Sequence, residues 1–428
     1  MAEPREVVVI GAGLVGLACA MTLQASGHTV TVLDPEGPGE GATMGNPGGL
    51  SVSSIFPTAV PGIHRKVPGW LLDPLGPLSI RWRHLPALAP WLWHFLRAAT
   101  PAQVERAMRA LHALTAPALE AYAPLLARAG AEDLVRHDGH LMVYRSAEAM
   151  RAEAGAWRRR AELGIAVTEL SGGAVQEMEP ALDPAYGYAR LVPGNGHCTD
   201  PRGLARRFAE AIARDGGTLR LLPATGFVLA DGRVRAVRTP EGDLPADAVV
   251  LAAGAASAPL AALLGDRVPL EAERGYHAEI PDSPVQLRRP VFATGEKIFA
   301  AAMRSGLRFA GTAEFARPGT PPDWRRAEGL LRLGRGLFPA LREPSGKTTR
   351  WMGMRPSTPD SLPAIGQASG AANAFHAFGH GHIGVTGAAM TGRIIDALVA
   401  GRTPPVPLEP YRPSRFAEPG CAASSQAA

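Results

Sequence analysis

The sequence predicts an α/β fold in which a discontinuous Rossmann-type domain carries an inserted domain of mixed β-sheet and helices. Residues 5–34 have the pattern of a buried strand, a glycine-rich turn, a helix and a second strand, which is the order of a βαβ unit. The composition changes between residues 63 and 190, a stretch that holds most of the tryptophans. Helix and strand patterns resume after it, so we expect one domain to be inserted into the other.

Length and composition are those of a folded protein with more than one domain. The chain has 428 residues, more than one hydrophobic core usually organises. Hydrophobic residues make up 46% and charged residues 19%, which excludes a disordered chain. The net charge of +5 comes almost wholly from arginine, since lysine occurs only at positions 66, 297 and 347. No dense basic run is interleaved with aromatic residues, so we expect no nucleic-acid partner.

The cysteines and the apolar N-terminal stretch indicate a cytoplasmic protein. Cys19, Cys198 and Cys421 lie far apart and lack metal-ligand spacing, so neither a disulfide scaffold nor a metal site is expected. Three glycines interrupt the apolar stretch 7–23, and no small-residue cleavage site follows it. We interpret this stretch as a strand and a helix rather than a signal peptide or a membrane span.

The turn after the first strand has the pattern G-x-G-x-x-G. Its residues are Gly11, Ala12, Gly13, Leu14, Val15 and Gly16. Such glycines allow a tight turn, the approach of a pyrophosphate to the backbone, and close packing of helix on strand. Asp34 and Pro35 end the second strand, where a carboxylate can accept hydrogen bonds from ribose hydroxyls and would repel a 2′-phosphate. The opening therefore predicts a dinucleotide other than NADP, and the motif alone leaves FAD and NAD open.

The later segments also divide between the two predicted domains. Residues 35–62 form a long loop, and the remaining segments are expected as helices at 102–130, 147–163, 199–214, 324–337 and 381–400, and as strands at 217–238, 247–257, 267–314 and 373–379. We assign 1–62, 191–262 and 350–416 to the dinucleotide-binding domain. We assign 63–190 and 263–349 to a substrate domain, and 417–428 to a flexible tail.

Several segments resemble the D-amino-acid oxidase-like superfamily of FAD-dependent flavoproteins. They occur in the family's order: VVVIGAGLVGLACAMTLQASGHTVTVLD, GATMGNPGGLS, GHCTDPRGLARRFAEAIARDGG, DAVVLAAGAAS and GMRPSTPDSLPAIG followed by FHAFGHGHIGVTGAAMTGRIIDAL. The segments ERGYHAEI and TGEKIFAAAMRSGLRFAGTAEF are also similar to the bacterial D-amino-acid dehydrogenase branch. The resemblance implies noncovalent FAD, hydride transfer from the substrate α-carbon to the flavin, and an imino acid that hydrolyses to a 2-oxo acid and ammonia.

The resemblance also implies partners. The dehydrogenase branch passes electrons to a respiratory acceptor, a quinone or a carrier protein, and some similar relatives act on D-hydroxyproline. We therefore expect a D-amino acid as substrate, with D-proline and cis-4-hydroxy-D-proline among the candidates. The alternatives are a glycine- or sarcosine-type amine oxidase or demethylating dehydrogenase, and a noncatalytic subunit that carries FAD.

The resemblance places further cofactor contacts in four segments. The expected residues are Thr43, Gly45, Asn46, Gly48, Gly49 and Leu50 in the loop after the second strand; Ala224 beside adenine; Ala253 and Gly254 after a buried strand; and Gly379, Gly381, His382, Ile383, Gly384 and Thr386 before the last helix. That helix would direct its N-terminal partial charge at the flavin edge where negative charge develops. The alternatives are an ordinary surface turn for the loop and simple packing for the strand end.

Arg355 is the expected substrate anchor, because it matches the family's carboxylate-binding arginine and a guanidinium can grip a carboxylate through two N–H groups. The alternative is a structural arginine paired with an acid such as Asp360. Tyr276 and His380 are the other catalytic candidates: Tyr276 to line the pocket, unless it packs in the core, and His380 to orient its loop or face the substrate. No general base is evident, and hydride transfer from a neutral amine depends mainly on orientation.

An aromatic cluster precedes residue 100. Trp82, Trp91, Trp93 and Phe95 occur together with Arg81, Arg83 and Arg97. This composition fits a surface that meets a quinone or the inner face of the plasma membrane. It also fits a helix that is buried in the substrate domain or covers the pocket, and we favour that second interpretation.

Overall fold

The structure is a computed structural model that describes residues 3–63, 78–342 and 347–417. Its strands are β1 (Glu6–Ile10), β2 (Thr29–Leu33), β3 (Gly49–Leu50), β4 (Leu78–Ile80), β5 (Val135–Arg136), β6 (His140–Tyr144), β7 (Thr168–Ser171), β8 (Tyr188–Val192), β9 (Gly196–Cys198), β10 (Thr218–Arg220), β11 (Gly226–Ala230), β12 (Arg233–Thr239), β13 (Gly242–Pro245), β14 (Ala248–Leu251), β15 (Glu271–Ile280), β16 (Val291–Ala293), β17 (Ile298–Met303), β18 (Gly306–Phe315), β19 (Thr349–Ser357), β20 (Ala364–Ala368) and β21 (Ala371–Phe378).

The helices alternate with these strands. They are α1 (Leu14–Ala25), α2 (Leu85–Ala98), α3 (Pro101–Thr115), α4 (Ala118–Ala129), α5 (Ala147–Ala152), α6 (Ala154–Glu162), α7 (Gly173–Met178), α8 (Pro201–Arg214), α9 (Ser257–Leu263), α10 (Arg325–Leu337) and α11 (Gly384–Val399). Within the described ranges, no helix has both the length and the apolar character needed to cross a bilayer.

A six-stranded sheet forms the Rossmann-type domain and confirms the predicted fold class. Its order is β10-β2-β1-β14-β21-β20, and every pair is parallel except β20 with β21. Strand β1 is buried on both faces, because Val7 and Val9 face one apolar cluster while Val8 and Ile10 face another. Burial on both faces explains the continuous apolar run in this strand.

The two faces of this sheet are covered differently. Helices α1, α8 and α11 pack on the first face, where α1 and α11 make the most extensive helix–helix contact of the fold. The antiparallel sheet β11-β12-β13 covers the second face through Phe227, Val234 and Val237. The carboxyl ends of β1, β2 and β14 therefore meet at one edge, where open α/β sheets bind their ligands.

A larger mixed sheet forms the second domain. Its order is β19-β15-β18-β17-β16-β6-β8-β7, with β4 added beside β18. Most pairs are antiparallel, while β16 with β6 and β4 with β18 are parallel. Helix α10 packs against β15, β17 and β18, and one apolar cluster lies beneath this helix. The predicted antiparallel strands of 267–314 correspond to β15 to β18.

The helices of residues 101–129 differ from the sequence prediction in two ways. The expected helix 102–130 is two helices, α3 and α4, and 147–163 is also two, α5 and α6. In addition, α3 and α4 pack against α11, and their apolar side chains join the core of the Rossmann-type domain. Their assignment to the substrate domain within 63–190 is therefore corrected. The amphipathic pattern of a helix predicts that one face is buried, but it does not identify the domain against which that face packs.

Most of the predicted flexible tail lies outside the described residues. Ala417 is described, and the rest of 417–428, with Cys421, lies outside the described residues.

Candidate active site

The glycine-rich turn at the end of β1 depends on glycine for its geometry. Gly11 has φ of +113°, and a Cβ there would lie 2.3 Å from the carbonyl oxygen of Ala252. A Cβ on Gly16 would lie 2.0 Å from the carbonyl oxygen of Gly11. Gly13 precedes α1 and offers no side-chain cap. The turn therefore presents a helix N-terminus to a ligand, as phosphate binding requires.

Asp34 holds this turn from the end of β2. Its Oδ2 accepts the N–H of Ala12 at 2.8 Å, and its Oδ1 accepts the N–H of Gly37 at 2.9 Å. Pro35, next in the chain, is exposed. The carboxylate thus lies beside the glycine-rich turn, where the dinucleotide interpretation expects the ribose, and it also fixes the backbone there.

The loop after β2 is bonded to the same turn. The N–H of Leu14 donates to Thr43 Oγ1 at 3.3 Å, and the N–H of Gly48 donates to Asn46 Oδ1 at 2.8 Å. Gly48 has φ of +75°, and a Cβ there would lie 1.8 Å from the carbonyl oxygen of Cys198. The loop therefore passes the start of α1 and then continues into β3 beside β9. At Gly48 the backbone lies so close to Cys198 that no side chain would fit.

Thr386 joins the last helix to that loop. Its Oγ1 accepts the N–H of Ser51 at 3.1 Å and lies 3.2 Å from the carbonyl oxygen of Gly49, to which it can donate. The two segments are 337 residues apart in the chain. The structure therefore brings together the loop after β2 and the start of α11.

Side chains of the second domain hold the loop from the other side. His277 Nδ1 lies 3.0 Å from the carbonyl oxygen of Gly45, and Arg308 Nη1 donates to the carbonyl oxygen of Asn46 at 2.8 Å. Trp351 stacks on His277 with ring centroids 5.3 Å apart, and a Cβ on Gly45 would lie 1.9 Å from its ring. Burial lowers the pKa of His277 to about 4, so its neutral ring donates to the carbonyl.

The remaining expected cofactor residues lie at strand ends and in the α11 loop. Gly254 follows β14 with φ of +55°, and no described atom lies within 4 Å of the place where its Cβ would be. Ala253 and Ala224 are half-buried against the apolar cluster beneath β1. Gly379 and Gly381 have φ of +83° and +51°, which lets the chain turn from β21 into α11.

These features together fit FAD. The residues that precede α1 and α11 supply no side-chain cap. Apart from the N–H of Leu14, which donates to Thr43 Oγ1, first-turn N–H groups of both helices are donors for phosphate or for the flavin edge. The glycine turn, Asp34, the Thr43–Leu50 loop and Thr386 would hold the cofactor. When bound, FAD supplies the hydride acceptor.

Arg355 lies on β19 beside Glu273 of β15, in a cluster of charged side chains. Its Nη1 donates to Glu273 Oε1 at 2.7 Å and to the carbonyl oxygen of Thr312 at 3.0 Å. The guanidinium covers Gly275, where a Cβ would lie 2.3 Å from Nη2. His382 Nε2 lies 3.0 Å from the same oxygen of Glu273. The guanidinium of Arg355 and the imidazole of His382 therefore both bond the same carboxylate oxygen, Glu273 Oε1.

The charges of this cluster favour an ionised Glu273. Burial by itself would raise the pKa of this carboxyl, which is 4% exposed. The charges and hydrogen bonds of His382 and Arg355 outweigh burial and lower the pKa to about 2. Glu273 is therefore an acceptor at neutral pH, and it fixes one side of the guanidinium.

Thr312 occupies a strained position beside Arg355. It has φ of +60°, a conformation that side-chain-bearing residues rarely adopt, and its Oγ1 is buried without a hydrogen-bond partner among the described residues. Strain and an unsatisfied hydroxyl together are typical of functional positions.

Two catalytic candidates lie elsewhere. Tyr276 is on the face of β15 opposite to Glu273 and His277; its hydroxyl donates to Glu314 Oε2 at 2.5 Å and accepts the N–H of Asp323 at 3.0 Å. It belongs to the core of the second domain. The expectation that it lines the pocket is therefore corrected, because strand alternation directs it away.

His380 is also displaced from the site. It is buried against α11 with Nε2 2.9 Å from Thr391 Oγ1, and burial lowers its pKa to about 3. It can orient its loop but does not face a substrate, whereas His382 does reach the Arg355 cluster. Within the described ranges, no three His, Cys, Asp or Glu side chains are placed to hold a metal ion.

The partner of Arg355 also differs from the alternative considered for it. Asp360 pairs with Arg415 at 2.7 Å, and Glu273 is the acid beside Arg355. Sequence reasoning missed Glu273, His277, Arg308 and Trp351. The alternation of Glu273, Gly275 and His277 along one strand is the signal that could have indicated a shared face.

Comparison with known proteins identifies the family of this chain. The family described as FAD dependent oxidoreductase, DAO, matches residues 6–398. The chain is 40% identical to a D-amino-acid oxidase of Bradyrhizobium diazoefficiens, over 97% of this chain and all of that one. It is 33% identical to D-amino acid dehydrogenase 2 of Ralstonia nicotianae, over 96% of this chain and all of that one.

A solved structure shares the fold. Glycine oxidase from Geobacillus kaustophilus superposes with a TM-score of 0.74 at 23% identity, over 96% of this chain and 99% of that one. Fold, cofactor site and sequence relatives agree: the chain belongs to the DAO family, as an FAD-dependent oxidoreductase of the D-amino-acid oxidase and dehydrogenase type.

Proposed function

We propose that this enzyme oxidises a small D-amino acid at its CH–NH bond, with Arg355 binding the substrate carboxylate. The observation that carries the proposal is the one-sided bonding of Arg355. Its Nη1 is held by Glu273 and Thr312, while no described residue accepts a hydrogen bond from its Nε or Nη2. These two nitrogens form the fork that matches a carboxylate. The guanidinium side chain is 23% exposed, so a ligand can reach it.

The D configuration rests on the relatives, which are named D-amino-acid oxidase and D-amino acid dehydrogenase. We retain D-proline and cis-4-hydroxy-D-proline as candidates within this class. Sarcosine and glycine remain the alternative substrates, since the fold is shared with a glycine oxidase.

Anaerobic flavin bleaching tests this proposal. The purified holoenzyme is mixed with D- and L-amino acids, sarcosine, glycine and cis-4-hydroxy-D-proline, and the loss of flavin absorbance is followed. We expect reduction by D-amino acids and a loss of at least 100-fold in kcat/KM for Arg355→Lys, since a lysine cannot reproduce the bidentate fork. Arg350→Lys, on the exposed part of the same strand, is the matched control. A yellow protein bleached by no amine would refute the proposal.

We also propose a respiratory acceptor that docks beside α2. Trp82 and Trp93 are 76% and 61% exposed, with Leu85 and Leu96 exposed near them. The other face of α2 is buried, where Trp91 Nε1 donates to the carbonyl oxygen of Ser357 at 3.0 Å. The helix therefore combines the two interpretations of this segment. Its buried face reaches Ser357, two residues along β19 from Arg355, and its other face presents the exposed apolar surface.

Sedimentation with vesicles of anionic lipid tests the surface. Replacing Trp82 and Trp93 with serine should abolish cosedimentation and quinone reduction but leave anaerobic bleaching intact. Leu229→Ser, an exposed apolar position on β11, serves as control. Equal sedimentation of the wild type, the Trp82 and Trp93 double variant and Leu229→Ser would contradict the proposed docking surface.

Oxygen is the second candidate acceptor, because the 40% identical relative is named an oxidase. Peroxide release at a rate that matches substrate consumption, without added quinone, would favour oxygen.

A further inference from the structure

We propose that His382 accepts a proton from the substrate ammonium group, so that the amine is neutral when the α-hydrogen leaves. This inference rests on the proposed function, since it assumes an amino acid whose carboxylate binds Arg355. It gives a catalytic role to a residue that the sequence analysis expected among the cofactor contacts.

The chemistry requires such an acceptor. At neutral pH an amino acid carries an ammonium group, whose nitrogen has no lone pair. The C=N bond forms from that lone pair as the hydride departs from the α-carbon to FAD. The ammonium proton must therefore first pass to a base, which leaves a neutral amine; hydride loss then yields the iminium form of the imino acid. With His382 as base, the proton resides on its imidazole and passes from there to water.

The position of His382 suits this role. Its Nε2 and the Nη1 of Arg355 bond the same oxygen of Glu273, at 3.0 and 2.7 Å. Imidazole and guanidinium are therefore neighbours across a single atom. A carboxylate on the free edge of Arg355 carries its amino group on the adjacent carbon, so a ligand of this size can span from the guanidinium to the imidazole.

The hydrogen bond defines which nitrogen exchanges the proton. An ionised Glu273 can only accept, so Nε2 carries a proton and Nδ1 is the nitrogen that gains or loses one. The buried carboxylate stabilises the imidazolium that forms, as a carboxylate does for a histidine base. The side chain of His382 is 52% exposed, which lets the proton leave to solvent.

The surrounding charges support this assignment. Among the described residues, Glu273 from β15 is the charged group that bonds His382, and Arg355 from β19 bonds the same oxygen of Glu273. The next pair along β15 is Glu271 with His84, whose atoms lie 3.1 Å apart. His380 in the same loop is buried against α11 and does not compete for the proton.

The kinetic test compares the wild type with His382→Gln. Glutamine can still donate to Glu273 but cannot accept a proton at neutral pH. Anaerobic flavin reduction by a D-amino acid is measured against pH in both proteins, with the exposed His137→Gln as matched control. We expect the wild-type rate to rise with pH and then level off. The variant should be slower on the order of 100-fold at neutral pH and keep rising towards the pKa of the amine.

A second readout needs no turnover. Isobutyrate has the carboxylate but no amine, and its dissociation constant is measured by flavin absorbance across the same pH range. Protonated His382 adds a positive charge beside the bound carboxylate, so wild-type affinity should fall as pH rises. In His382→Gln the dissociation constant should be independent of pH over the range where histidine titrates.

The outcomes separate the two proposals. A wild type that oxidises amino acids, with a His382→Gln variant that keeps the wild-type pH profile, would overturn the role of His382 alone. An unchanged pH dependence of isobutyrate binding in the variant would do the same. A wild type that binds isobutyrate but is reduced by no amino acid would overturn the proposed function and the proton transfer with it.

Discussion

Glu273 and Arg355 face each other across the β15–β19 pair, and a 2.7 Å hydrogen bond joins Oε1 to Nη1. The two residues are 82 positions apart in the chain. The bond occupies Nη1 of the guanidinium and leaves Nε and Nη2 for a ligand. An internal carboxylate also orients the guanidinium before any substrate arrives, which reduces the entropy lost on binding.

Glu273→Gln should destabilise the fold in a pH-dependent way. Its folded pKa is lowered from 4.5 to about 2, so its contribution is fully present above pH 4.5 and is lost as pH falls towards 2. The difference in unfolding free energy between wild type and variant should be about 3 kcal/mol at neutral pH. Urea unfolding at pH 7 and pH 3 measures it. A difference that grows on acidification would contradict the assignment.

Gly45→Ala should weaken FAD binding by disturbing the β3 loop. The added methyl group would lie 1.9 Å from the ring of Trp351, so either the loop or the stacked Trp351–His277 pair must move. We expect at least a tenfold weaker dissociation constant for FAD, which corresponds to about 1.4 kcal/mol. The control is Gly41→Ala, where no described atom lies within 4 Å of the new methyl group. Equal flavin content in both variants would refute the effect.

More of the fold than of the candidate site could be predicted from the sequence. The βαβ opening is local, and its glycines are required by contacts within one turn, so the sequence pattern carries the information. The site depends on strand register: the regular alternation of β15 places His277, and not its neighbours, against the loop after β2. A bulge in β18, where two residues oppose Gly275, places Thr312 beside Arg355. The partner of Arg355 could not be predicted from spacing, since the pairing of β15 with β19 brings Glu273 to it.

Thr312→Val should separate stability from activity. The buried Oγ1 lacks a partner among the described residues, so replacing it with a methyl group removes a desolvation cost of about 1 kcal/mol and retains the carbonyl that holds Arg355. If the hydroxyl bonds the substrate, kcat/KM should fall about tenfold while the thermal midpoint rises. Thr294→Val is the control, because that hydroxyl bonds the carbonyl oxygen of Val143. Unchanged kinetics in Thr312→Val would assign the strain a purely structural role.

Tyr276→Phe should affect stability and spare catalysis. Burial, followed by the hydrogen bond to Glu314, raises the pKa of Tyr276 to about 12, so the hydroxyl remains protonated at neutral pH and cannot act as a base. Its removal takes a donor from the buried Glu314 and an acceptor from the N–H of Asp323. We expect a loss of about 2 kcal/mol in unfolding free energy and a kcat/KM within about twofold of the wild type. A large rise in KM at unchanged stability would return Tyr276 to the substrate pocket, against the face of β15 on which it lies.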